Sequence, residues 1–257
     1  MRLTVLGSGA ACPPAGSNTS GYLVEQDNHR VVLDCGHGIA SALLRVRPHF
    51  DIDHIVITHM HADHFIDVIP LRFRVTRDMD GVPERRVTLH LPPDGIAALR
   101  DVLRAVSFPE DFCSNTFNVT EYDPGQPLAL GPMTATFAQA EHYIPAWSIR
   151  IDGDSALTYT GDTAPCPDVA ELALGSDLFV CEGTLMEPET GPVKGHLTPE
   201  QAAMMACAAE AESLLLTHFW YGTDLSDVQR RAAAHFDGPI RIASDGLSCD
   251  VNGVTPH

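Results

Sequence analysis

The hexapeptide His59-Met60-His61-Ala62-Asp63-His64 follows directly on the apolar run Ile55-Val56-Ile57-Thr58. Four metal-competent side chains therefore fall within six positions at the end of a predicted buried strand. Neutral imidazole is the commonest protein ligand for zinc-like cations, and carboxylate oxygen pairs readily with it. The pattern after Phe65 reads as a helix, so the donors are expected on a strand-to-helix connection held at both ends by rigid elements. The chain must fold so that strand and helix meet at this loop.

Short β-rich runs recur at 3–7, 21–25, 30–34, 54–58, 87–91, 117–122, 133–140, 146–151, 156–160, 177–182, 213–217 and 240–244. Helical patterns interleave with them at 39–46, 65–75, 95–106 and 224–235. In the third of these, Ile96, Leu99, Val102, Leu103 and Val106 share one face. Thr198-Pro199-Glu200-Gln201 has the form of a capping box with proline at the first helical position, opening a helix to about Glu210. Turn clusters at Cys12-Pro13-Pro14-Ala15-Gly16, Asp80-Gly81-Val82-Pro83 and Asp123-Pro124-Gly125-Gln126-Pro127 punctuate these runs. Hairpins first, then strands alternating with helices, predict two sheets with helices outside. No repeat of the solenoid kind and no low-complexity segment is present.

Composition narrows the function classes. At 257 residues and 44% hydrophobic content the chain can bury a substantial core. Its 34 acidic against 16 basic residues give a net charge of −18, which repels phosphate backbones over the average surface and disfavours extended nucleic acid as a partner. A pair of divalent cations would reverse that sign inside a cleft, so small anionic substrates remain compatible. No run reaches membrane-spanning length. The opening Met1-Arg2-Leu3-Thr4-Val5-Leu6-Gly7 reads as a first strand rather than a signal peptide, and a cytoplasmic location is expected. Cys12, Cys35, Cys113, Cys166, Cys181, Cys207 and Cys249 have no paired spacing and read as scattered reduced thiols.

Further donors stand at other strand ends: His142, Asp162 in Gly161-Asp162-Thr163, and His218 after Leu214-Leu215-Leu216-Thr217. Singly, each suits a solvated turn; together they complete what the hexapeptide leaves unfinished. His59, His61 and His142 supply three imidazoles for one metal. Asp63, His64 and His218 supply a carboxylate and two imidazoles for a second, with Asp162 bridging. Two such cations clamp attacking and leaving oxygens. With no cysteine in the set, zinc, manganese and iron are all compatible on softness; zinc is the expectation, with Mn2+ or Fe2+ as alternatives.

This set resembles the metallo-β-lactamase superfamily. The Leu3–Gly9 opening (Leu-Thr-Val-Leu-Gly-Ser-Gly), Asp34-Cys35-Gly36 and Cys181-Glu182-Gly183-Thr184 extend the likeness over nearly the whole chain, and His196 in Gly195-His196-Leu197-Thr198 narrows it to the ribonuclease Z-like branch. Within that branch the chain is similar to short bacterial phosphodiesterases, including the atypical class II cyclic-nucleotide enzymes. The resemblance implies an α+β, four-layer αββα sandwich formed as one domain over 1–257, a dinuclear site at one edge, and a homodimer. Ribonuclease Z of the tRNA-processing kind carries a long arm between the residues matching His142 and Asp162; here only about twenty residues separate them, enough for a hairpin.

The expected function is therefore hydrolysis of a small phosphodiester, such as a cyclic nucleotide, by a hydroxide bridging two metals. Asp63 orients the nucleophile and His196 serves as general acid or phosphoryl donor, beside the favourable partial charge of a helix N-terminus. Lys194, the only lysine, and Trp220 are candidate substrate contacts; Trp147, Phe219 and Tyr221 suit either a cleft wall or the core. Arg72, Arg74, Arg77, Arg85 and Arg86 are read as a solvated helix face paired with Asp78 and Asp80, and His29, His37, His49, His54, His90 and His235 as ordinary. Competing readings are a ribonuclease Z-like endonuclease or 3′ exonuclease gripping RNA through a partner subunit, a lactonase or thioesterase, and a non-catalytic binding module. A complete ligand set argues against the last.

Overall fold

A computed structural model of the chain describes residues 1–78 and 86–252, the side chains of 75–78 excepted. The first half runs β1 (Arg2–Gly7), β2 (Gly21–Gln26), β3 (His29–Leu33), α1 (Ile39–Val46), β4 (His54–Val56), α2 (Ala62–Phe65), α3 (Val68–Asp78), β5 (Thr88–Leu91), α4 (Gly95–Ala105) and β6 (Asn118–Glu121). The second runs β7 (Leu128–Leu130), β8 (Met133–Gln139), β9 (Trp147–Asp152), β10 (Ala156–Tyr159), α5 (Pro167–Leu172), β11 (Leu178–Glu182), α6 (Pro199–Ala208), β12 (Leu214–Thr217), α7 (Leu225–Ala232) and β13 (Ile240–Ile242), before β14 (Ser248–Asp250).

Two seven-stranded sheets result, ordered β14-β1-β2-β3-β4-β5-β6 and β7-β8-β9-β10-β11-β12-β13. Both follow one scheme. The first three pairings are antiparallel, and the last three parallel. Parallel neighbours need a crossover, and each crossover here carries a helix. The halves thus share a topology that no sequence repeat announces, with β14 filling in the first sheet the place β7 fills in the second.

Side-chain alternation assigns the layers. In β3, Val31 and Leu33 face the inter-sheet core and Val32 the outer one. In β11, Leu178 and Val180 face inward while Phe179 and Cys181 face the helices. Both faces are buried, which is why these strands read as continuous apolar runs rather than alternating ones. Helices α1, α3 and α4 cover the first sheet through Ile39, Leu43, Val68, Leu71, Leu99 and Leu103. The helices α5, α6 and α7 cover the second through Val169, Ala202, Ala206 and Val228. The architecture is the expected four-layer sandwich.

Some details depart from the sequence reading. The helix expected at 65–75 is two helices, and α2 begins at Ala62, so Asp63 and His64 lie in its first turn rather than before it. The strands β7 and β14 and the helix α5 were not anticipated: each is short, and β14 is polar, held by pairing with β1. His54 and His90 are not isolated, since His54 Nδ1 lies 3.0 Å from His90 Nε2 on adjacent parallel strands. Arg72 and Arg74 do not simply face solvent; they reach the carbonyls of Phe112 (3.1 Å) and Pro48 (2.8 Å). The side chains of Arg77 and Asp78, and the residues Asp80 and Arg85 with the turn at 80–83, lie outside the described residues. The capping box forms as read: Thr198 Oγ1 accepts from Gln201 N–H and Gln201 Oε1 from Thr198 N–H.

The carboxyl ends of the parallel strands in both sheets point to one edge, where ligand sites of open α/β sheets collect. The loops there are tightly interlocked. Cys35 N–H donates to His64 O at 2.7 Å, and a Cβ placed on Gly36 would come 1.8 Å from Asp63 O. Only glycine lets the β3 loop pass beneath the hexapeptide. Gly36→Ala is expected to cost at least about 3 kcal/mol, a drop of roughly 6–12 °C in Tm for a chain of this size; thermal denaturation monitored by circular dichroism checks it.

Candidate metal centre

The histidines predicted from sequence converge. His59, His61 and His142 bring ring nitrogens together with Asp162, and Asp63, His64 and His218 do the same with that carboxylate's other oxygen. In the first group His61 Nδ1 lies 3.2 Å from His59 Nε2 and 3.0 Å from His142 Nε2, and Asp162 Oδ2 lies 3.7 and 3.8 Å from the latter two. In the second, Asp162 Oδ1 is 3.3 Å from both His64 Nε2 and His218 Nε2, while Asp63 Oδ2 is 3.6 and 3.4 Å from them. A tetrahedral cation with bonds near 2.0–2.1 Å separates its ligands by about 3.3 Å. Both groups have that spacing.

A second observation is independent of spacing. His64 Nε2, His218 Nε2 and Asp162 Oδ1 are buried polar atoms without a hydrogen-bond partner. Orphaned buried acceptors are costly, and groups in native proteins that lack partners call for a specific reason. A cation at the second group supplies it, so the donor set fits two divalent metal ions.

The opposite ring nitrogens fix the tautomers. Asp34, buried at the end of β3, can only accept, so His64 Nδ1 donates to its Oδ2 at 2.7 Å. The same carboxylate takes the Thr58 hydroxyl proton, leaving Thr58 Oγ1 to accept from His59 Nδ1 at 3.0 Å. Tyr159 OH donates to it as well. His142 Nδ1 donates to Gly195 O at 2.8 Å. Buried Glu182 accepts from Thr184 Oγ1, which in turn accepts from His218 Nδ1 at 2.9 Å. Four imidazoles therefore turn Nε2 toward the cluster, and His61 turns Nδ1. Such outer partners orient a metal's ligands and raise their basicity.

Charge at the site follows from this packing. Burial alone would raise the Asp162 carboxyl, but the His218 and His64 rings outweigh it and hold it well below the usual carboxylate range. Asp63 is lowered in the same way, His218 and His64 prevailing over burial. Burial pushes His59 well below the usual imidazole range, and depresses His61 and His142 too. For His64 burial again opposes the charge, yet Asp162 and Asp34 on its two nitrogens raise its pKa well above that range. Within the site, two non-glycine residues adopt left-handed backbone: Asp34 at φ 57° and His218 at φ 65°. Such strain in non-glycine residues persists where surroundings over-determine it, often at functional sites.

His196 stands beside the cluster. Its ring stacks 5.6 Å from that of His218 and meets that of His142 edge-on at 5.1 Å. Its Nδ1 donates to Glu182 at 3.0 Å. Glu182 also accepts from the N–H groups of Thr163 and Leu197, which makes it the anchor of this corner. The other candidates divide. Lys194 is exposed in the loop before His196, and Trp220 is 40% exposed just past His218. Phe219 lies in the core of the second sheet, and Trp147 packs on the inter-sheet core against Tyr122, so neither walls the cleft. Tyr221 is exposed. Sequence reasoning assigned no role to Asp34 or Glu182, although both lie in segments it singled out; a lone carboxylate closing a buried strand was the available signal. Asp34→Asn preserves shape while turning an obligatory acceptor into a mixed group. It is expected to weaken metal binding about 10- to 100-fold, read by competition with a chromophoric chelator.

Comparison with known proteins agrees with this geometry. An uncharacterised protein of Mycobacterium leprae is 33% identical over 258 residues, covering 98% of this chain and 89% of its own. The probable metallo-hydrolase YhfI of Bacillus subtilis is 29% identical over 249 residues, covering 96% of this chain and 98% of its own. The YhfI crystal structure superposes with a TM-score of 0.84 at 25% identity, over 96% of this chain and 98% of that one. A ribonuclease Z of Haloferax volcanii is 25% identical over 304 residues, covering 98% and 95%. A diphosphatase of the PhnP family shares the fold, with a TM-score of 0.76 at 23% identity over 97% of each chain. The family model described as beta-lactamase superfamily domain matches residues 29–219. On these grounds the chain belongs to the β-lactamase superfamily, as one of its metallo-hydrolases.

Proposed function

We propose that the protein hydrolyses small phosphodiesters, cyclic mononucleotides among them, at a pair of divalent metal ions held by His59, His61, His142, Asp162, Asp63, His64 and His218. The observation that carries this reading is the pairing of His196 with buried Glu182 beside the metal-binding groups. Burial disfavours charge on His196, but Glu182 overrides it and raises the pKa to about 9. A cationic imidazole next to a dinuclear centre suits a phosphodiester, whose leaving alkoxide needs a proton and whose phosphoryl oxygens gather negative charge. Acyl chemistry has less use for it, which disfavours a lactonase or thioesterase.

Two divalent cations, zinc on this reading, would activate a water and neutralise charge on the phosphoryl group. The protein's own residues do the rest. Asp63, with its side chain partly open to solvent, orients the attacking water. His196 keeps Nδ1–H on Glu182 and delivers its other proton toward the leaving oxygen. Asp34 and Glu182 prevent the surrounding rings from turning. Lys194 and Trp220 flank the site as substrate contacts.

The nature of the substrate is argued from what the chain contains. The interval between His142 and Asp162 holds only the β9–β10 hairpin, paired from Tyr159↔Ile149 to Ala156↔Asp152. The ribonuclease Z relative aligns over 304 positions, longer than the 257 residues here, so it carries inserted residues. The Mycobacterium and Bacillus relatives align over 258 and 249, close to the chain's own length. With a net charge of −18, this favours a small phosphodiester over extended RNA. A homodimer and a cytoplasmic setting, which suits the free thiols, complete the reading.

Metal-loaded protein is expected to cleave bis-p-nitrophenyl phosphate and 3′,5′-cyclic AMP, and to leave a tRNA precursor and a lactone intact. Cleavage of the lactone alone would overturn the proposal. A pH profile tests His196 separately. Its active form is protonated and its pKa is raised, so turnover is present at neutral pH and lost as pH rises through a limb at or below about 9, bound cations acting to lower it. That limb should move to lower pH in Glu182→Gln and vanish in His196→Ala, with kcat for the latter falling about 100-fold or more.

A further inference from the structure

The connection from β11 to α6 carries His196 on a loop whose neck is closed by Leu185 N–H donating to Leu197 O at 2.9 Å. Within that loop the half-buried Glu189 folds back on its own chain. Its Oε2 accepts from the N–H groups of Gly195 at 2.6 Å and His196 at 3.2 Å, and its Oε1 accepts from the hydroxyl of Tyr143. Tyr143 belongs to a different loop, directly after the proposed ligand His142. Its ring lies 4.8 Å from that of His142 and 5.6 Å from that of His196.

The Gly195 peptide closes the circuit. Its N–H donates to Glu189, and its carbonyl accepts the Nδ1 proton of His142. A Cβ at Gly195 would come 2.5 Å from the Tyr143 ring, so the aromatic face packs directly on this backbone. One carboxylate thereby ties the loop bearing a proposed ligand to the loop bearing the proposed proton donor.

We infer that Glu189 is a positioning residue. It sets where the His196 imidazole stands relative to the metal-binding groups and holds the half-exposed Tyr143 ring over their rim. The carboxylate does this through backbone N–H groups, which cannot be replaced by altering His196 itself. This goes beyond the Glu182 pairing, which holds the His196 ring and the Leu197 N–H after it but not the Gly195 and His196 N–H groups that Glu189 holds. The inference rests on the phosphodiesterase reading only through the assay substrate.

Lys194 is the only lysine in the chain, so a lysine-specific endoprotease can cut at one peptide bond alone, Lys194–Gly195. The nitrogen of that bond is the one Glu189 holds. Native-state digestion thus reports on the contact directly, whatever the substrate. Glu189→Ala is expected to speed cleavage at least about 5-fold with Tm unchanged. Glu189→Gln, retaining one acceptor oxygen, should fall between the two. In turnover of bis-p-nitrophenyl phosphate, Glu189→Ala should lower kcat about 10- to 100-fold with KM within about 2-fold, since small misplacements of a catalytic group cost that much. In a His196→Ala background it should add less than about 2-fold, because the two act as one unit. Unchanged digestion, or losses that multiply in the double variant, would overturn the assignment. A protein inert toward phosphodiesters would count against the proposed function, while digestion would still decide the role of Glu189.

Discussion

Asp162 is an almost fully buried carboxylate whose two oxygens face two different sets of imidazoles, and the arrangement of the whole edge depends on compensating it. An ionised carboxylate removed from water is penalised by several kcal/mol even after the protein relaxes. Hydrogen bonds alone do not resolve this, since Oδ1 has none. The compensation is assembled from both sheets at once, by the rings of His59 and His64 from the first and of His142 and His218 from the second, which together form the cation-binding groups around it. Neither sheet holds the set alone. The inter-sheet core, running from Val5 and Tyr22 to Ile149 and Val180, is what brings the two half-sites into register. Burial in the sandwich and chemistry at its rim are therefore one problem.

Two further buried carboxylates solve the orientation problem, one in each sheet. Asp34, after β3, serves His64 directly and His59 through Thr58. Glu182, ending β11, serves His196 directly and His218 through Thr184. Each uses one direct contact and one threonine relay. The hydroxyl is suited to the relay because it donates to the carboxylate and accepts from the ring, which forces one tautomer. The division of labour matters chemically. Asp34 supports only residues of the metal-binding groups, whereas Glu182 supports His218 and also His196, the proposed proton donor, so damage to Asp34 should act on metal retention and damage to Glu182 on His196 as well.

Much of this was legible in the sequence, for physical reasons that can be named. Strands with buried faces leave apolar runs, and twelve strands were visible; β7 and β14 were not, because each is three residues long and lacks the isoleucine pair that marked the equally short edge strand β13. The donors were legible because a histidine directly after an apolar run is placed by the strand before it. Asp34 and Glu182 sat in plain view yet showed no role, since a supporting carboxylate is recognised only by the ring it reaches. Trp147 was undecidable until the sandwich placed it on Tyr122. Glu189 was unreadable altogether: two of its partners are main-chain N–H groups, which every sequence has everywhere, and the third, the Tyr143 hydroxyl, is reached only across two loops.

The loop that Glu189 folds also bears on selectivity. Extended RNA needs surface beyond a metal centre to be gripped, and the ribonuclease Z relative aligns over 304 positions against the 257 residues here. Here the space between His142 and Asp162 is spent on a tight hairpin, and the rim beside His142 is occupied instead by Tyr143, 47% exposed, packed on Gly195 and fastened to Glu189. An aromatic ring fixed at that height narrows the approach to the cluster from one side. On the proposed reading, a duplex or a long folded strand would meet both that ring and the loop that carries the proposed proton donor. A single nucleotide need not meet both, and could use the exposed ring face for stacking. On the proposed reading, the clamp that positions the acid also favours small substrates, and the two properties should be lost together when it is released.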